Sequence, residues 1–161
     1  MKVYPEEVVA FWTEYATATK ATGPYTAWGF ADPGHPELMT KLGLLVRDGP
    51  KRATAGREDD FAIDGEPIPV PGDHSVILDG DGNPICIIRT TSVEIRPFGQ
   101  VDAQFAWDEG EGDRTLEWWR AAHIRYFASV GTPIDDATNV VLERFSKVWP
   151  QPVDPPVDPP A

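Results

Sequence analysis

The sequence predicts a single α+β domain, in which helices pack against a mostly antiparallel sheet of about five or six strands. Amphipathic helical patterns fill the first fifty residues and return after residue 113. Between them the chain alternates with period two, and a β-branched and aromatic run closes the domain. The chain has 161 residues, of which 41% are apolar, enough for one core. We expect one domain over residues 1–149 and a tail over 150–161.

Two helices are predicted in the first fifty residues. Pro5 suits a first helical position, and apolar side chains recur at helical spacing over residues 8–15. A second helix is predicted to begin near Pro36, with three leucines on one face. It should end before Asp48, where Gly and Pro follow.

A β-hairpin is predicted in the middle of the chain. Residues 75–78 and 84–89 flank an Asp-Gly-type loop, and residues 90–97 extend the second strand. The proline-rich stretch 65–72 is unsuited to a central strand, so we predict an edge or a loop there.

The sequence pattern in the last third of the chain predicts a loop, a helix, a strand and a tail. An acidic, glycine-rich loop over residues 108–113 precedes a helix that starts near Asp113 or Thr115. Residues 140–149 form the final strand. The tail holds six of the 17 prolines and repeats Pro-Val-Asp-Pro, so it is predicted to be flexible and extended.

The charge of the chain narrows the class of ligand. A formal net charge of −12 disfavours binding along extended DNA or long RNA, but it allows a small ligand in one pocket. The sequence shows no signal-peptide pattern and no apolar run near ~18 residues, so we expect a cytoplasmic protein that does not interact with membranes. The single cysteine, Cys86, lies in an apolar run and predicts a buried, unreactive thiol.

Two segments offer catalytic side chains. Lys51 and Thr54 lie in a stretch of small residues and could present an ammonium and a hydroxyl to a ligand. On local sequence alone a solvated basic turn is favoured, and in a regular strand the two side chains would face opposite sides. Glu94 could act as a base if it points into a pocket, whereas pointing outwards it would pair with Arg96 or solvent.

Acidic and aromatic side chains cluster in the last third. Glu109, Glu111 and Asp113 suggest a cation site, but their spacing differs from an EF-hand and helix capping accounts for them in part, so we assign no metal. Trp119 and His123 share one helical face near several arginines, and aromatic rings beside guanidinium groups can stack a nucleobase and bind phosphate. The alternative for Trp119 is a core position, and for His123 both roles stay open.

Several of these segments, taken together, resemble the ASCH domain of the PUA-like β-barrel superfamily, in its longer bacterial branch. The family signature Gly-x-Lys-x-Ala-Thr matches Gly49-Pro50-Lys51-Arg52-Ala53-Thr54. Further matches, which extend the resemblance to about residues 5 to 149, are residues 71–73, 82–91, 93–98 and 109–120 together with His123.

The resemblance implies a small barrel with flanking helices and a cleft that reads a nucleobase or nucleotide. Some short ASCH proteins are amidohydrolases that act on N(4)-acetylcytidine with a Lys, a Thr three residues later and a Glu on a later strand. Those positions match Lys51, Thr54 and Glu94. Others are similar to ribonucleases that depend on a divalent cation such as Mn²⁺, and many have only a presumed RNA-binding role.

We therefore expect a hydrolase of an acylated or modified nucleoside that needs no cofactor. Thr54 would attack or position water, Glu94 would act as base and Lys51 would stabilise the oxyanion, unless a neutral Lys51 instead activates Thr54. The expected substrate-binding residues are Arg52, Trp119, His123 and Arg125. The alternatives are a divalent-cation-dependent ribonuclease and a non-catalytic module that binds a nucleotide or short RNA. A homodimer is left open.

Overall fold

A computed structural model describes residues 2–156 and shows an α+β domain built on one five-stranded mixed sheet. The strands are β1 Tyr25–Trp28, β2 Ala53–Arg57, β3 His74–Leu78, β4 Pro84–Pro97 and β5 Asn139–Trp149. The helices are α1 Glu6–Thr19, α2 Pro36–Arg47, α3 Glu58–Ile63, α4 Ala103–Glu109 and α5 Leu116–Ser129, with a 3-10 turn over Phe98–Gln100. The predicted fold class is confirmed.

The sheet has the order β1-β3-β4-β5-β2. Only the β1–β3 pairing is parallel, so the sheet is mostly antiparallel as the sequence predicts. The long strand β4 pairs with β3 along its first half and with β5 along nearly its whole length, with register shifts near Ile87 and Thr90. These irregularities bend β4 and let one strand serve both neighbours.

The prediction of a closed barrel is wrong, because the sheet stays open. Within residues 2–156, β1 pairs only with β3 and β2 pairs only with β5, so both are edge strands. The space between the two edges contains a cavity, which Phe30 lines just beyond β1 and Thr54 lines from β2. Side chains and this cavity lie where hydrogen bonds between the two edge strands would be needed to close a barrel.

The core has three apolar clusters around the sheet. One lies under α1, where Val8 and Trp12 pack near Val76 and Ile87. The second lies under α2 and includes Val46 and Cys86, whose thiol is buried as predicted and whose pKa burial raises to about 12. The third joins β2 and β5 to the last two helices; its buried members are Ala53, Phe98, Val101, Phe105, Ala106, Trp119, Val140 and Leu142.

The first part of the tail is bound to the domain. The Asp154 carboxylate accepts hydrogen bonds from Arg52 Nε at 2.7 Å and from the Lys147 amide at 2.8 Å. The Asp154 amide donates to the Lys147 carbonyl at 3.0 Å. Asp154 therefore ties the start of the tail to Arg52 and β5, whereas the part of the predicted flexible tail over residues 157–161 lies outside the described residues.

Candidate active site

A cavity of about 340 Å³ lies between α2, α5 and the edge strand β2. Its helical walls come from residues at helical spacing: Leu38, Lys41, Leu42 and Leu45 on α2, and Trp118, Ala122, Arg125 and Ser129 on α5. A mostly apolar cleft of this size with a few convergent polar groups is typical of small-molecule sites.

Lys51 lies at the inner end of this cavity, just before β2. Its side chain is only 1% exposed, and Nζ donates to the Ala53 carbonyl at 2.8 Å, to Glu111 Oε2 at 2.9 Å and to Glu109 Oε1 at 3.3 Å. These acceptors match the three protons of an ammonium. The Phe30 ring faces the same nitrogen, 5.1 Å from Nζ to the ring centroid.

Gly110 makes this arrangement possible. It ends α4 in the left-handed conformation, with φ at +69°, where glycine carries no steric cost. A Cβ atom there would lie 2.8 Å from the Lys51 amide nitrogen and 2.8 Å from the Pro50 carbonyl carbon. The absence of a side chain therefore lets the loop of Glu109 and Glu111 pass directly over the Lys51 backbone.

Glu109 is the buried centre of a polar network. Its Oε1 lies 3.3 Å from His123 Nε2, and its Oε2 accepts the indole N–H of Trp119. His123 Nδ1 donates to the Trp119 carbonyl at 2.8 Å, since a carbonyl oxygen can only accept. The His123 ring stacks on Trp119 with a centroid separation of 4.2 Å, which fixes its orientation.

The electrostatics of the cluster favour two ion pairs. Burial disfavours every charge here, but His123 and Lys51 together hold the pKa of Glu109 well below its ordinary value. For the two cations, burial lowers the pKa, but the neighbouring carboxylates raise it by more. Glu109 raises the pKa of His123, and Glu111 and Glu109 raise the pKa of Lys51. Lys51 is therefore an ammonium at neutral pH.

Glu111 differs from Glu109 in its protonation behaviour. Burial and the neighbouring Glu109 charge raise its pKa above the ordinary value, despite the opposing charge of Lys51. Its side chain is 13% exposed and lines the cavity. A carboxyl group whose pKa is raised and that lines a cleft is suited to general acid–base catalysis.

The structure brings Lys51 and Thr54 to the same cavity, although β2 is a regular strand at Thr54. Lys51 precedes the strand, so its side chain is not bound by the alternation that would place residues three apart on opposite faces. Within residues 2–156 the Thr54 hydroxyl has no hydrogen-bonding partner from the protein, which leaves it available to a ligand or water.

Three of the predicted site residues lie elsewhere. Glu94 is 46% exposed on β4 and pairs with Arg96 at 2.7 Å, the outward alternative, because its strand position faces away from the cavity. Arg52 is held by Asp154 and by the carbonyls of Val46 and Lys51. Trp119 is buried in the core under Phe98, so only its indole N–H serves the site.

The other two predicted binding residues, His123 and Arg125, do line the cavity. Trp118 is not among the predicted site residues, but its ring forms part of the wall and covers Gly112, where a Cβ would lie 2.2 Å from the indole. Trp118 and Trp119 are neighbours on α5, about 100° apart around the helix, so only one of them can face the core.

The acidic cluster also has the donor atoms of a metal site. Glu109, Glu111 and His123 offer ligand atoms within 4.8 Å of one another, which suits a divalent cation by donor type. However, the Lys51 ammonium already contacts both carboxylates and the Trp119 N–H occupies the remaining Glu109 oxygen. In this arrangement Lys51 supplies the positive charge, and a dication would have to displace or repel it.

An open, mostly antiparallel sheet with helices packed against it places the chain among the α+β domains with a PUA-like fold. The model of the ASCH domain family matches residues 26–149. The chain therefore belongs to the ASCH domain family, as the signature around Lys51 predicts. None of the curated proteins matches the chain significantly.

Two solved structures are similar over most of the chain. An ASCH domain from Lactobacillus crispatus JV V101 is 31% identical, with a TM-score of 0.77 over 92% of this chain and 98% of that chain. Protein EF3133 from Enterococcus faecalis V583 is 32% identical, with a TM-score of 0.75 over 87% of this chain and 86% of that chain. In residues 2–156, the helices are all too short or too polar to cross a membrane.

Proposed function

We propose that this protein hydrolyses the exocyclic amide of an acylated nucleobase, of the N(4)-acetylcytidine type. The observation that carries the proposal is the buried Lys51 ammonium, 2.9 Å from the Glu111 carboxyl, in a cavity that also presents the Thr54 hydroxyl. A hydroxyl, a proton acceptor and a fixed positive charge are the groups that amide hydrolysis requires.

In the proposed reaction Glu111 takes the place that the sequence assigns to Glu94. Thr54 orients a water molecule against the acyl carbon, and Glu111 accepts a proton from that water as the new C–O bond forms. Lys51 stabilises the negative charge that develops on the carbonyl oxygen. Glu111 then returns the proton to the amide nitrogen as the C–N bond breaks, which yields a carboxylic acid and the free amino group of the base.

The charge state of Lys51 favours this assignment over a neutral lysine that activates Thr54. Two carboxylates face the ammonium at hydrogen-bonding distance and raise its pKa, so a neutral amine would be strongly disfavoured. The contact with Glu109 is the longest of the three Lys51 hydrogen bonds, and it is the one that a substrate oxyanion would most easily replace.

The ribonuclease alternative rests on the donor set of Glu109, Glu111 and His123. Two observations weigh against it: the Lys51 ammonium beside the same carboxylates, and the net charge of −12, which disfavours capture of a long RNA. A nucleoside-sized substrate is consistent with both.

The test is turnover of N(4)-acetylcytidine, followed by chromatography of cytidine and acetate, with and without a chelator. We expect turnover that is insensitive to chelation, retained in Thr54→Ser and lost in Thr54→Val, which keeps the shape but removes the hydroxyl. Absence of turnover, together with Mn²⁺-dependent cleavage of a short RNA, would replace the proposal with the ribonuclease. Inactivity in both assays would favour a binding module.

A further inference from the structure

Most of the positively charged side chains are paired with an acceptor in the protein, and a few are not. Of the 14 Lys and Arg side chains, ten donate to a carboxylate or to a backbone carbonyl within residues 2–156. In that part of the chain, the four without such a contact are Lys20, Lys41, Arg89 and Arg125. Two of these four, Lys41 and Arg125, line the same cavity.

Lys41 and Arg125 stand on opposite walls of the cavity. Lys41 lies on α2 and Arg125 on α5, and both side chains are exposed, so they flank the mouth. Two neutral polar groups lie beside them: the Ser129 hydroxyl, which donates to the Tyr126 carbonyl at 2.6 Å, lines the same wall as Arg125, and His35 Nε2 is 3.5 Å from Ser129 Oγ. This end of the cavity therefore presents hydrogen-bond donors from both helices.

The negative charges of the cavity lie at its other end. Among the described residues, its only acidic lining side chains are Glu109 and Glu111, which Lys51 and His123 compensate. The cavity is thus polarised, with a balanced catalytic cluster inside and two unbalanced cations outside. In a protein of charge −12, two unpaired cations at one mouth are a local reversal of sign.

We propose that Lys41 and Arg125 form a phosphate subsite, and that the ligand is a nucleoside 5′-monophosphate rather than a free nucleoside. The inference rests on the proposed function for the orientation of the base, which enters toward Lys51 and leaves the ribose phosphate at the mouth. A guanidinium and an ammonium are the side chains that proteins use for phosphate oxygens.

The test measures binding without turnover. Equilibrium dissociation constants for cytidine and cytidine 5′-monophosphate are compared at low ionic strength for the wild type and for the Lys41→Ala/Arg125→Ala double variant. The matched control is Lys20→Ala/Arg89→Ala, which removes the same charge from unpaired cations that do not line the cavity.

In the wild type we expect the monophosphate to bind about tenfold more tightly, as two exposed charge contacts allow, and the preference to shrink with added salt. The ratio of the two dissociation constants should fall to about one in the Lys41→Ala/Arg125→Ala variant and stay near the wild-type ratio in the Lys20→Ala/Arg89→Ala control. Equal affinities in the wild type, or a preference that both double variants reduce alike, would overturn the inference. A 5′-phosphorylated short RNA that binds more tightly than the mononucleotide would also overturn it.

These outcomes separate the inference from the proposed hydrolysis. Preferential binding of the monophosphate that depends on Lys41 and Arg125 supports the phosphate subsite even if N(4)-acetylcytidine is not turned over. Conversely, turnover with equal affinity for the two cytidine ligands would keep the hydrolase and overturn the subsite. Turnover of N(4)-acetylcytidine 5′-monophosphate, measured in parallel, links the two.

Discussion

Lys51 Nζ lies 2.9 Å from Glu111 Oε2, although the two residues are 60 positions apart in the chain. One side chain comes from the segment that leads into β2 and the other from the loop between α4 and α5. Their contact lies at the inner end of the cavity and joins these two segments, both of which fall within the family match.

Loss of the Lys51 charge should destabilise the domain strongly. Lys51→Met leaves Glu109 and Glu111 buried without their ammonium, and breaking a buried pair in this way costs about 3–5 kcal/mol. Lys147→Met is the matched control, because Lys147 is also buried, but within residues 2–156 its ammonium donates only to the Arg47 carbonyl. Urea unfolding should show a clearly larger loss for Lys51→Met, and equal losses would contradict the account.

Gly110→Ala should be more destabilising than Gly65→Ala. Both glycines have φ near +69°, so each alanine carries the strain of a left-handed backbone, about 1–2 kcal/mol. Only at Gly110 does the new Cβ also meet the Lys51 backbone, whereas Gly65 has open space around it. The difference between the two unfolding free energies measures the close approach, and a difference of zero would show that the approach is not required.

Two histidines should give opposite pH dependences of stability. The pKa of His123 is raised in the folded state. Its contribution to the free energy of unfolding is therefore complete below the pKa of the unfolded state and is lost as the pH rises through the pKa of the folded state. Burial lowers the pKa of His74, so protonation in the unfolded state removes stability as pH falls. The wild-type advantage over His123→Asn should therefore shrink from pH 6 to pH 9.

The wild-type advantage over His74→Asn should instead grow between pH 5 and pH 8. Denaturant unfolding of the three proteins from pH 5 to pH 9 provides both comparisons in one series. A His123 difference that rises with pH would show that His123 is not the cationic partner of Glu109, and it would remove the two-ion-pair description of the cluster.

Trp118 should contribute to base binding through its ring. Stacking of a base on an aromatic side chain is worth about 1–3 kcal/mol, so Trp118→Ala should weaken cytidine 5′-monophosphate binding by a corresponding factor. Trp118→Phe keeps a stacking surface and should retain most of the affinity. Titration calorimetry distinguishes the two, and equal losses in both variants would indicate a structural role for the indole instead.

Local sequence rules predicted most of the fold. Capping and periodicity located α1, α2 and α5, and the Asp-Gly loop located the β3–β4 hairpin. The strand β1 was missed because it has only four residues and its parallel partner lies 49 positions away. Such a strand is specified by its neighbours in space and has too short a pattern to show in the sequence.

The candidate site was predicted only in part, for the same physical reason. The signature identified Lys51 and Thr54, and the acidic segment suggested a cation near Glu109 and Glu111. The identity of that cation could not be read locally, since Lys51 reaches the loop only through the tertiary fold. Likewise, which of Trp118 and Trp119 faces the core depends on the packing of α5 against β5 and Phe98.

The most direct test of the central claim compares two carboxylate variants. We assign the proton acceptor to Glu111, which lines the cavity, whereas Glu94 pairs with Arg96 outside it. With N(4)-acetylcytidine, Glu111→Gln should lower kcat/KM about 10²- to 10⁴-fold, the usual contribution of a general base, while Glu94→Gln stays near wild type. Unfolding curves confirm that both variants are folded. A large loss in Glu94→Gln with an active Glu111→Gln would contradict the account.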